Sequence, residues 1–322
     1  MQSTIQETGP TISTHQTIQE TGPTISTHQT IQEEGVIPPK QIPYFFTEKQ
    51  VHDACSFSKS PMKPQLVQRT IQHDTKFRHV NPGIICPIEP SRMKLVHTER
   101  YVDGLMAGEI ADGFGNKSKK DFQAIRTTVG NFVTAAEYAL GRDVVWSLTS
   151  GFHHARHDGG GGFCTINALM LSAFELQKYH NTRTLIVDGD AHFGNGCVDI
   201  LERVPGMKDY CTYFQYFNQV KYRGMLEAAI AKCEPGIIMF QAGADDWVGD
   251  PLGGGNTMEA LYQRDLTTFD VAKRHGIPVV CNLAGGYAEN YNNTLRIHRN
   301  TGEAMKEVYL GVQGAPSFKE EW

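Results

Sequence analysis

The chain has 322 residues, of which 40% are hydrophobic, and its formal net charge is -5. This composition can supply a sizeable core and indicates a globular protein of one large domain or two small ones. The sequence shows no signal pattern, no apolar run of about 18 residues and no extended Lys/Arg cluster. We therefore expect a cytoplasmic protein that binds neither membranes nor nucleic acid. The seven scattered cysteines contain no CxxC pair and indicate reduced thiols.

The N-terminal segment is a sequence repeat. Residues 4–16 recur identically at residues 17–29, and a third copy starts at residue 30. The repeated unit is polar and contains Gly-Pro, so it is too short and too polar to bury a core. We expect residues 1–35 to form a disordered tail, in which His15 and His28 are solvated, and residues 36–322 to form one folded domain.

From residue 143 onward, apolar runs typical of strands alternate with longer stretches typical of helices. Strands are predicted at 143–150, 183–190, 210–216, 236–243 and 278–286, and helices at 166–179, near 196–203, 222–233, 258–275 and 293–310. Most strands are unbroken apolar runs, which is expected when helices cover both faces of a sheet. The pattern predicts an α/β fold, a single domain with a central, mainly parallel sheet flanked by helices.

Four predicted strands end in unusual polar or glycine-rich segments. These segments are "GFHHARHDGGGGFC" (151–164), "DGDAHFGNG" (188–196), "QAGADDWVGDPLGGG" (241–255) and "LAGGYAEN" (283–290). In parallel sheets, functional groups gather just beyond the carboxyl ends of the strands. The sequence therefore predicts that these four segments contribute to one site.

The second of these segments has the residue types of a metal site. Asp188, Asp190 and His192 share one parity, so on extended backbone their side chains point to one side. Carboxylates and imidazole are ordinary zinc ligands, and a catalytic zinc typically takes three protein groups. Two ligands from this loop need a third from elsewhere, for which Asp245 is the stronger candidate and Asp246 the weaker. Each aspartate taken singly has the alternative of a helix cap or turn residue.

Together these segments resemble the histone deacetylase superfamily, which includes acetoin-utilisation proteins and acetylpolyamine amidohydrolases. The resemblance covers most of the chain after residue 60: "SPMKP" (60–64) is similar to an early loop, "LVHTERYVDGL" (95–105) is similar to a helix, and the four segments follow in family order. It implies an arginase/deacetylase-like fold. It also implies zinc-dependent hydrolysis, through metal-activated water, of an acetyl or short acyl group from an acetyl-lysine-like amine.

The resemblance implies a zinc site beside two proton-handling histidines. The residues that match the zinc ligands are Asp190, His192 and Asp245. His153 and His154 match the tandem histidines of the family, and their expected partners are Asp188 and Asn195. A nearby carboxylate favours charged imidazole, so His153 should tend towards imidazolium. His154 faces a neutral amide and is expected to act as general base and later as general acid.

The resemblance also implies the groups that contact the substrate. Tyr287 matches a tyrosine that, with zinc, polarises the acetyl carbonyl and can donate to the oxyanion. Gly162 and Phe163 match the channel wall beside the acyl-lysine chain. Leu252 stands where a polyamine-selective branch carries an acidic residue, so acetyl-lysine or a small acylated amine is favoured over an acetylpolyamine. Backbone carbonyls of the 188–192 loop are expected to hold a potassium ion.

Several features depart from the family pattern. Phe193 replaces a second histidine and Ala168 replaces an acidic residue, which are changes that could retune ligand orientation. The 204–235 region is shortened and lacks a "FPGTG"-like element, so a more open tunnel is expected. Tyr216 or Phe217 could substitute as a channel wall, and the alternative is that this aromatic cluster packs in the core.

Two functions of other classes stay open at this point. An arginase-like ureohydrolase would need two metals and more aspartates, and His192 and Tyr287 argue against it. An acyl-lysine-binding protein with weak or no hydrolysis is consistent with Phe193 and the shortened region, but His153, His154 and Tyr287 oppose it. The sequence identifies neither the acylated substrate nor the oligomeric state.

Overall fold

Seven parallel strands form one sheet in the part of the chain that the structure describes. The structure is a computed structural model, and it describes residues 41–216 and 219–321. The strands are β1 (Ile42–Phe45), β2 (Phe77–His79), β3 (Val144–Ser147), β4 (Thr184–Asp188), β5 (Cys211–Gln215), β6 (Ile237–Gln241) and β7 (Val279–Asn282). Their order across the sheet is β2-β1-β3-β7-β6-β4-β5, and every neighbouring pair is parallel. The predicted α/β fold with a central parallel sheet is confirmed.

Helices connect the strands, as parallel pairing requires. In the described residues they are α1 (Lys63–Ile71), α2 (Pro90–Met93), α3 (Glu99–Ala107), α4 (Lys119–Ala139), α5 (Ala168–His180), α6 (Asn195–Arg203), α7 (Gln219–Cys233), α8 (Met258–Arg274) and α9 (Tyr291–Met305). Short 3₁₀ turns lie at Glu48–Gln50, Pro82–Ile84 and Met207–Asp209, and a π-helical turn, Lys306–Leu310, continues α9.

Polar residues fix where several helices begin. Thr98, Ser118 and Thr257 each accept a backbone hydrogen bond in the first turn of α3, α4 and α8, respectively. Such caps satisfy amide groups that have no partner within the helix. The α3 helix ends at Gly108, whose φ of 70° is the left-handed conformation common at helix ends.

All ten elements predicted after residue 143 are present, and the helix expected within 95–105 is α3. The strands end earlier than predicted, because their last residues already belong to the site loops. The elements β1, β2, α1, α2 and α4 are not predicted by the sequence pattern. Pro43 lies inside β1, where proline normally argues against a strand. In α4 the buried polar residues Thr127 and Asn131 obscure the apolar period.

Two predictions extend beyond what the structure tests. The tail predicted for residues 1–35 lies outside the described residues, so its boundary with the 36–322 domain stays a prediction. Among the described helices, none is long and apolar enough to cross a membrane. The cellular compartment stays a prediction.

The core packs against both faces of the sheet, and its centre is β6, which lies between β7 and β4. Phe240 of β6 is fully buried, and its ring lies 5.6 Å from that of Phe269 on α8 in an edge-on arrangement. Aromatic pairs of this geometry stabilise a core beyond the area that they bury. This packing holds the carboxyl ends of the central strands in fixed relative positions.

We expect Phe240→Ala to lower the free energy of unfolding by about 3–5 kcal/mol, because it leaves a cavity in the centre of the core. Tyr179→Ala is the control, since Tyr179 is 59% exposed. It should change stability by less than about 0.5 kcal/mol. Urea denaturation followed by circular dichroism measures both values. A Phe240→Ala variant as stable as the control would contradict the assigned core.

Candidate metal centre and catalytic site

The strand order brings the four predicted segments to one edge of the sheet. Strands β3, β7, β6 and β4 are adjacent and parallel, so their carboxyl ends meet. The segments that follow these strands carry the tandem histidines, the "AGGY" turn, Asp245 and the 188–192 loop, in that order across the sheet. The four segments are far apart in sequence, and the order of the parallel strands brings them together.

Asp190, His192 and Asp245 converge at this edge. One ligand atom from each lies within 4.8 Å of the others. The Nδ1 atom of His192 is 3.0 Å from Asp245 Oδ2 and 3.2 Å from Asp190 Oδ1. These contacts raise the pKa of His192 to about 11, so this corner strongly attracts positive charge. Two carboxylates and one imidazole form a donor set that fits a catalytic zinc ion.

Neighbouring groups orient these three side chains. The Nε2 atom of His192 lies 2.8 Å from the carbonyl oxygen of Leu252, so it donates a proton there and Nδ1 faces the carboxylates. Such a contact on the second imidazole nitrogen is the usual way of orienting a metal-binding histidine. Asp246, the weaker candidate ligand, instead accepts a hydrogen bond of 2.7 Å from the Asn256 side chain.

Backbone amides hold the two carboxylates in place. Asp190 Oδ2 accepts from the amide of Gly285 at 2.8 Å, and Asp245 Oδ1 accepts from the amide of Ala191 at 3.2 Å. Gly285 approaches so closely that a Cβ atom there would lie 2.1 Å from Asp245 Oδ2. The "AGGY" turn therefore requires glycine at this position, because any side chain would displace the carboxylates.

The tandem histidines have different partners. The Nδ1 atom of His153 lies 2.8 Å from Asp188 Oδ2, and that of His154 lies 3.0 Å from Asn195 Oδ1. The two rings are 4.0 Å apart between centroids. His153 Nε2 lies 3.7 Å from Asp190 Oδ1, so the pair borders the candidate metal centre.

The pKa values of the two histidines shift in opposite directions. Burial lowers the pKa of His153, but the charges of Asp188 and Asp190 outweigh burial and raise it to about 9. Burial and the charge of His153 lower the pKa of His154 below its ordinary value, and the hydrogen bond with Asn195 only partly opposes them. Near neutral pH, His153 is therefore charged and His154 is neutral.

Tyr287 and the 162–163 segment lie beside each other. The rings of Tyr287 and Phe163 are 5.4 Å apart between centroids. Burial raises the pKa of Tyr287 well above the ordinary value, so its phenol keeps its proton. Phe163 has a φ of 62°, a strained conformation for a residue with a side chain, and such strain clusters at functional sites. A Cβ at Gly162 would lie 2.4 Å from the His154 ring, so this segment borders the histidines closely.

Sequence reasoning missed several buried groups that support the site. Arg264 on α8 is fully buried, donates to the carbonyl oxygens of Gly189 and Gly243, and pairs with Asp265 at 2.8 Å. It therefore ties together the two loops that carry the candidate metal ligands. Its sequence context is an ordinary "QRD" in a helix, where a charge usually faces solvent, so no sequence signal distinguishes it.

Lys63 and Asp250 hold the turn that carries Tyr287. The ammonium group of the fully buried Lys63 donates to the carbonyl oxygen of Ala284. Burial lowers the pKa of Lys63 to about 8, against the opposing charges of nearby carboxylates. Asp250 Oδ2 accepts from the backbone amide of Tyr287 at 2.6 Å. Lys63 lies within "SPMKP" and Asp250 within "GDPLGG". Both segments carry the family resemblance, but the sequence pattern assigns neither residue a function.

The loop contacts give no support to the predicted potassium ion. The carbonyl oxygen of Asp188 accepts from the amide of Tyr216, and that of Asp190 accepts from Gln215 Nε2, both at 2.8 Å. The carbonyl of Gly189 accepts from Arg264. None of these contacts supplies evidence for the ion, and potassium stays a prediction from the resemblance.

The departures from the family pattern have structural counterparts. Tyr216 is buried and packs edge-on against Tyr222 at 4.8 Å, so it belongs to the core and forms no channel wall. Phe217 lies outside the described residues. Phe193 is 53% exposed, and its ring packs against that of Tyr213. Ala168 is buried at the first turn of α5.

We expect Gly285→Ala to weaken zinc binding by at least about tenfold, because its Cβ would push Asp245 and Asp190 apart. Gly255→Ala is a matched control in a neighbouring loop, where a Cβ would have no atom within 4 Å. Competition with a fluorescent zinc chelator measures both affinities. Equal affinity in the two variants would show that the turn does not confine the carboxylates.

Comparisons with known proteins find relatives that are named histone deacetylases. Histone deacetylase 2 of Arabidopsis thaliana is 29% identical over 248 residues, which are 65% of this chain and 64% of that protein. Histone deacetylase clr6 of Schizosaccharomyces pombe is 24% identical over 303 residues, 77% of this chain and 73% of that protein. An uncharacterized protein of Picosynechococcus sp. is 27% identical over 246 residues, 67% of this chain and 82% of that protein.

The solved structure of the HDA15 HD domain matches 87% of this chain and 91% of its own, with a TM-score of 0.68 and 19% identity, which shows a shared fold. The sequence model of the histone deacetylase domain matches residues 59–222 and, in an overlapping segment, residues 207–301. These matched segments include all four strand-end segments of the site. The chain therefore belongs to the family of the histone deacetylase domain.

Proposed function

We propose that the chain is a zinc-dependent amidohydrolase that removes an acetyl or short acyl group from an acetyl-lysine-like amine. Family membership supports deacetylase activity in general. The observation that carries the finer proposal is the convergence of three ligand atoms from Asp190, His192 and Asp245 within 4.8 Å, beside the tandem histidines. Amide hydrolysis needs an activated water, a stabilised oxyanion and a proton for the leaving amine, and this edge offers a group for each.

Asp190, His192 and Asp245 would hold the zinc ion. When bound, zinc supplies a Lewis acid that withdraws charge from the substrate carbonyl and lowers the pKa of a water molecule. Three protein ligands leave one position for water or substrate, which is typical of a catalytic rather than a structural site. His192 among the ligands and Tyr287 beside them argue against a two-metal ureohydrolase.

His154 is the general base and later the general acid. An amide oxygen only accepts hydrogen bonds, so the contact with Asn195 Oδ1 places the proton of neutral His154 on Nδ1. Its Nε2 atom is then free to take a proton from water and to return it to the leaving amine. Charged His153 adds positive charge beside the reacting groups, where negative charge develops on the carbonyl oxygen.

Tyr287 donates a hydrogen bond to the developing oxyanion. Its raised pKa keeps the phenolic proton available throughout the working pH range. The bond from its backbone amide to Asp250 holds the residue in place before substrate arrives. Donors positioned in advance stabilise the transition state without a reorganisation cost during the reaction.

The groups near the entrance fit an aliphatic acyl-lysine chain. Gly162 and Phe163 supply one wall, and Leu252, 38% exposed, supplies an apolar surface near His192. An apolar side chain cannot pair with the distal ammonium of a polyamine. An acylated lysine or a small acylated amine is therefore the proposed substrate.

We expect Tyr287→Phe to lower kcat for acetate release from an acetyl-lysine peptide by about 100- to 1000-fold, the usual effect of removing one oxyanion donor. Tyr291→Phe is the control, because Tyr291 is also buried and its hydroxyl has no hydrogen-bond partner among the described residues. It should keep activity within about twofold. Release unchanged in Tyr287→Phe would contradict the assigned donor. No release from zinc-loaded wild-type protein would favour an acyl-lysine-binding protein.

We expect Leu252→Glu to raise the ratio of kcat/KM for an acetylated polyamine over acetyl-lysine peptide by about tenfold, because it adds one partner for a distal ammonium. Val248→Glu is the control, since Val248 lies on the same loop and is 57% exposed. Competition between the two substrates in one reaction measures the ratio. Equal ratios in both variants would show that Leu252 does not face the substrate chain.

A further inference from the structure

We propose that Tyr213 is a positioning residue whose single hydroxyl group holds the partners of both proton-handling histidines. The inference rests on the proposed function, because it assigns Tyr213 a role through His153 and His154. Tyr213 lies in β5, on a strand that contributes none of the four predicted site segments. None of the described hydrogen bonds of its hydroxyl group involves a candidate metal ligand.

The hydroxyl of Tyr213 lies between two segments of the site. It donates to Asp188 Oδ2 at 2.8 Å and accepts from the backbone amide of Gly194 at 2.7 Å. It also contacts Gln215 Oε1. The charged carboxylate is the stronger acceptor for its one proton. One oxygen atom thus joins the end of β4 to the start of α6.

The first bond fixes the partner of His153. Asp188 is fully buried, and its Oδ2 atom is shared between His153 Nδ1 and the Tyr213 hydroxyl, both at 2.8 Å. Its Oδ1 atom accepts from the amide of Asp190 at 3.1 Å. Each carboxylate oxygen is therefore committed, and the plane of the carboxylate sets the orientation of the His153 ring. Without the hydroxyl, a buried charged oxygen would lose one of its two donors.

The second bond fixes the partner of His154. Gly194 directly precedes Asn195, the first residue of α6, and it has no side chain to cap that helix. The Tyr213 hydroxyl accepts the amide proton of Gly194 itself and so anchors the residue that precedes the helix. A Cβ at Gly194 would lie 2.4 Å from this hydroxyl, so the close approach depends on glycine. The hydroxyl thereby sets where α6 begins and where Asn195 meets His154.

Gln215 completes this arrangement on the same strand. Its Oε1 atom lies against the Tyr213 hydroxyl, while its Nε2 atom donates to the carbonyl oxygen of Asp190 at 2.8 Å. Two side chains of β5, Tyr213 and Gln215, thus hydrogen-bond to the 188–192 loop. Since β5 pairs with β4 along its whole length, these two side chains lie directly beside the residues that follow β4.

The test compares Tyr213→Phe with Tyr210→Phe. Phenylalanine keeps the ring that packs against Phe193 and removes only the hydroxyl. Tyr210 lies just before β5, and its hydroxyl contacts the sulfur of Met207, away from the site. We expect Tyr213→Phe to lower kcat by about 10- to 100-fold, as loss of supporting contacts commonly does, with KM and bound zinc within about twofold of wild type. Tyr210→Phe should leave kcat, KM and zinc content within about twofold.

Proton NMR of histidine-labelled protein gives a readout that does not depend on turnover. The His153 Nδ1 proton, held by Asp188, should give a downfield imidazole resonance, which should shift in Tyr213→Phe and stay in place in Tyr210→Phe. An unchanged kcat and an unchanged resonance would overturn the proposal. Loss of zinc or of folded structure in Tyr213→Phe would also overturn it, because the hydroxyl would then serve the metal centre or the fold.

The two proposals can fail separately. If zinc-loaded wild-type protein releases no acyl group from any amine tested, the proposed function fails. The resonance shift in Tyr213→Phe would still show that the hydroxyl positions the Asp188–His153 pair. If wild type is active and Tyr213→Phe matches it in both kcat and resonance, the proposed function stands and the role of Tyr213 is rejected.

Discussion

Three carboxylates, Asp188, Asp190 and Asp245, lie buried together at one edge of the sheet, each at most 3% exposed. Burying an unpaired charge is costly, and burying three like charges near one another is more so. The cost is visible at Asp245. Burial and the charge of Asp190 raise the pKa of this carboxyl group. Every other feature of the site can be understood as a means of holding these charges where the sheet places them.

Hydrogen-bond donors and positive groups from several parts of the chain offset the cost of burying these carboxylates. Backbone amides of Gly285 and Ala191 reach the carboxylate oxygens, and His153 supplies the nearest positive group. Two buried cations from distant parts of the chain, Lys63 and Arg264, hold the carbonyl oxygens of the surrounding loops. A site that gathers so many buried carboxylates is suited to a divalent cation. The same carboxylates make His153 the charged histidine, whereas burial and the charge of His153 keep His154 neutral.

Much of this arrangement follows from sequence patterns. The apolar runs predict the parallel sheet, and the strand ends predict where Asp190, His192 and Asp245 meet. The contacts that brace them are not predictable in this way. Tyr213 looks like one member of an aromatic cluster, and Arg264 looks like a solvated helix charge, because only the three-dimensional neighbours give either residue its role.

The early part of the chain shows the same limit. Neither Pro43 in β1 nor the buried Asn131 of α4 fits the simple pattern for its element. Asn131 is satisfied by side-chain hydrogen bonds with Gln50 and Ser147, which lie far from it in sequence. Such long-range pairs are set by tertiary packing. The potassium ion, expected from resemblance alone, has no support in the described contacts of the loop carbonyls.

The most direct test of the metal centre compares Asp245→Asn with Asp246→Asn. The two aspartates are adjacent, but only Asp245 joins Asp190 and His192, whereas Asp246 bonds to Asn256. Zinc content by mass spectrometry of metals should be near one ion per chain in wild type and in Asp246→Asn, and acetate release should follow it. Asp245→Asn should lose both. Full zinc content and acetate release in Asp245→Asn would contradict the assigned centre.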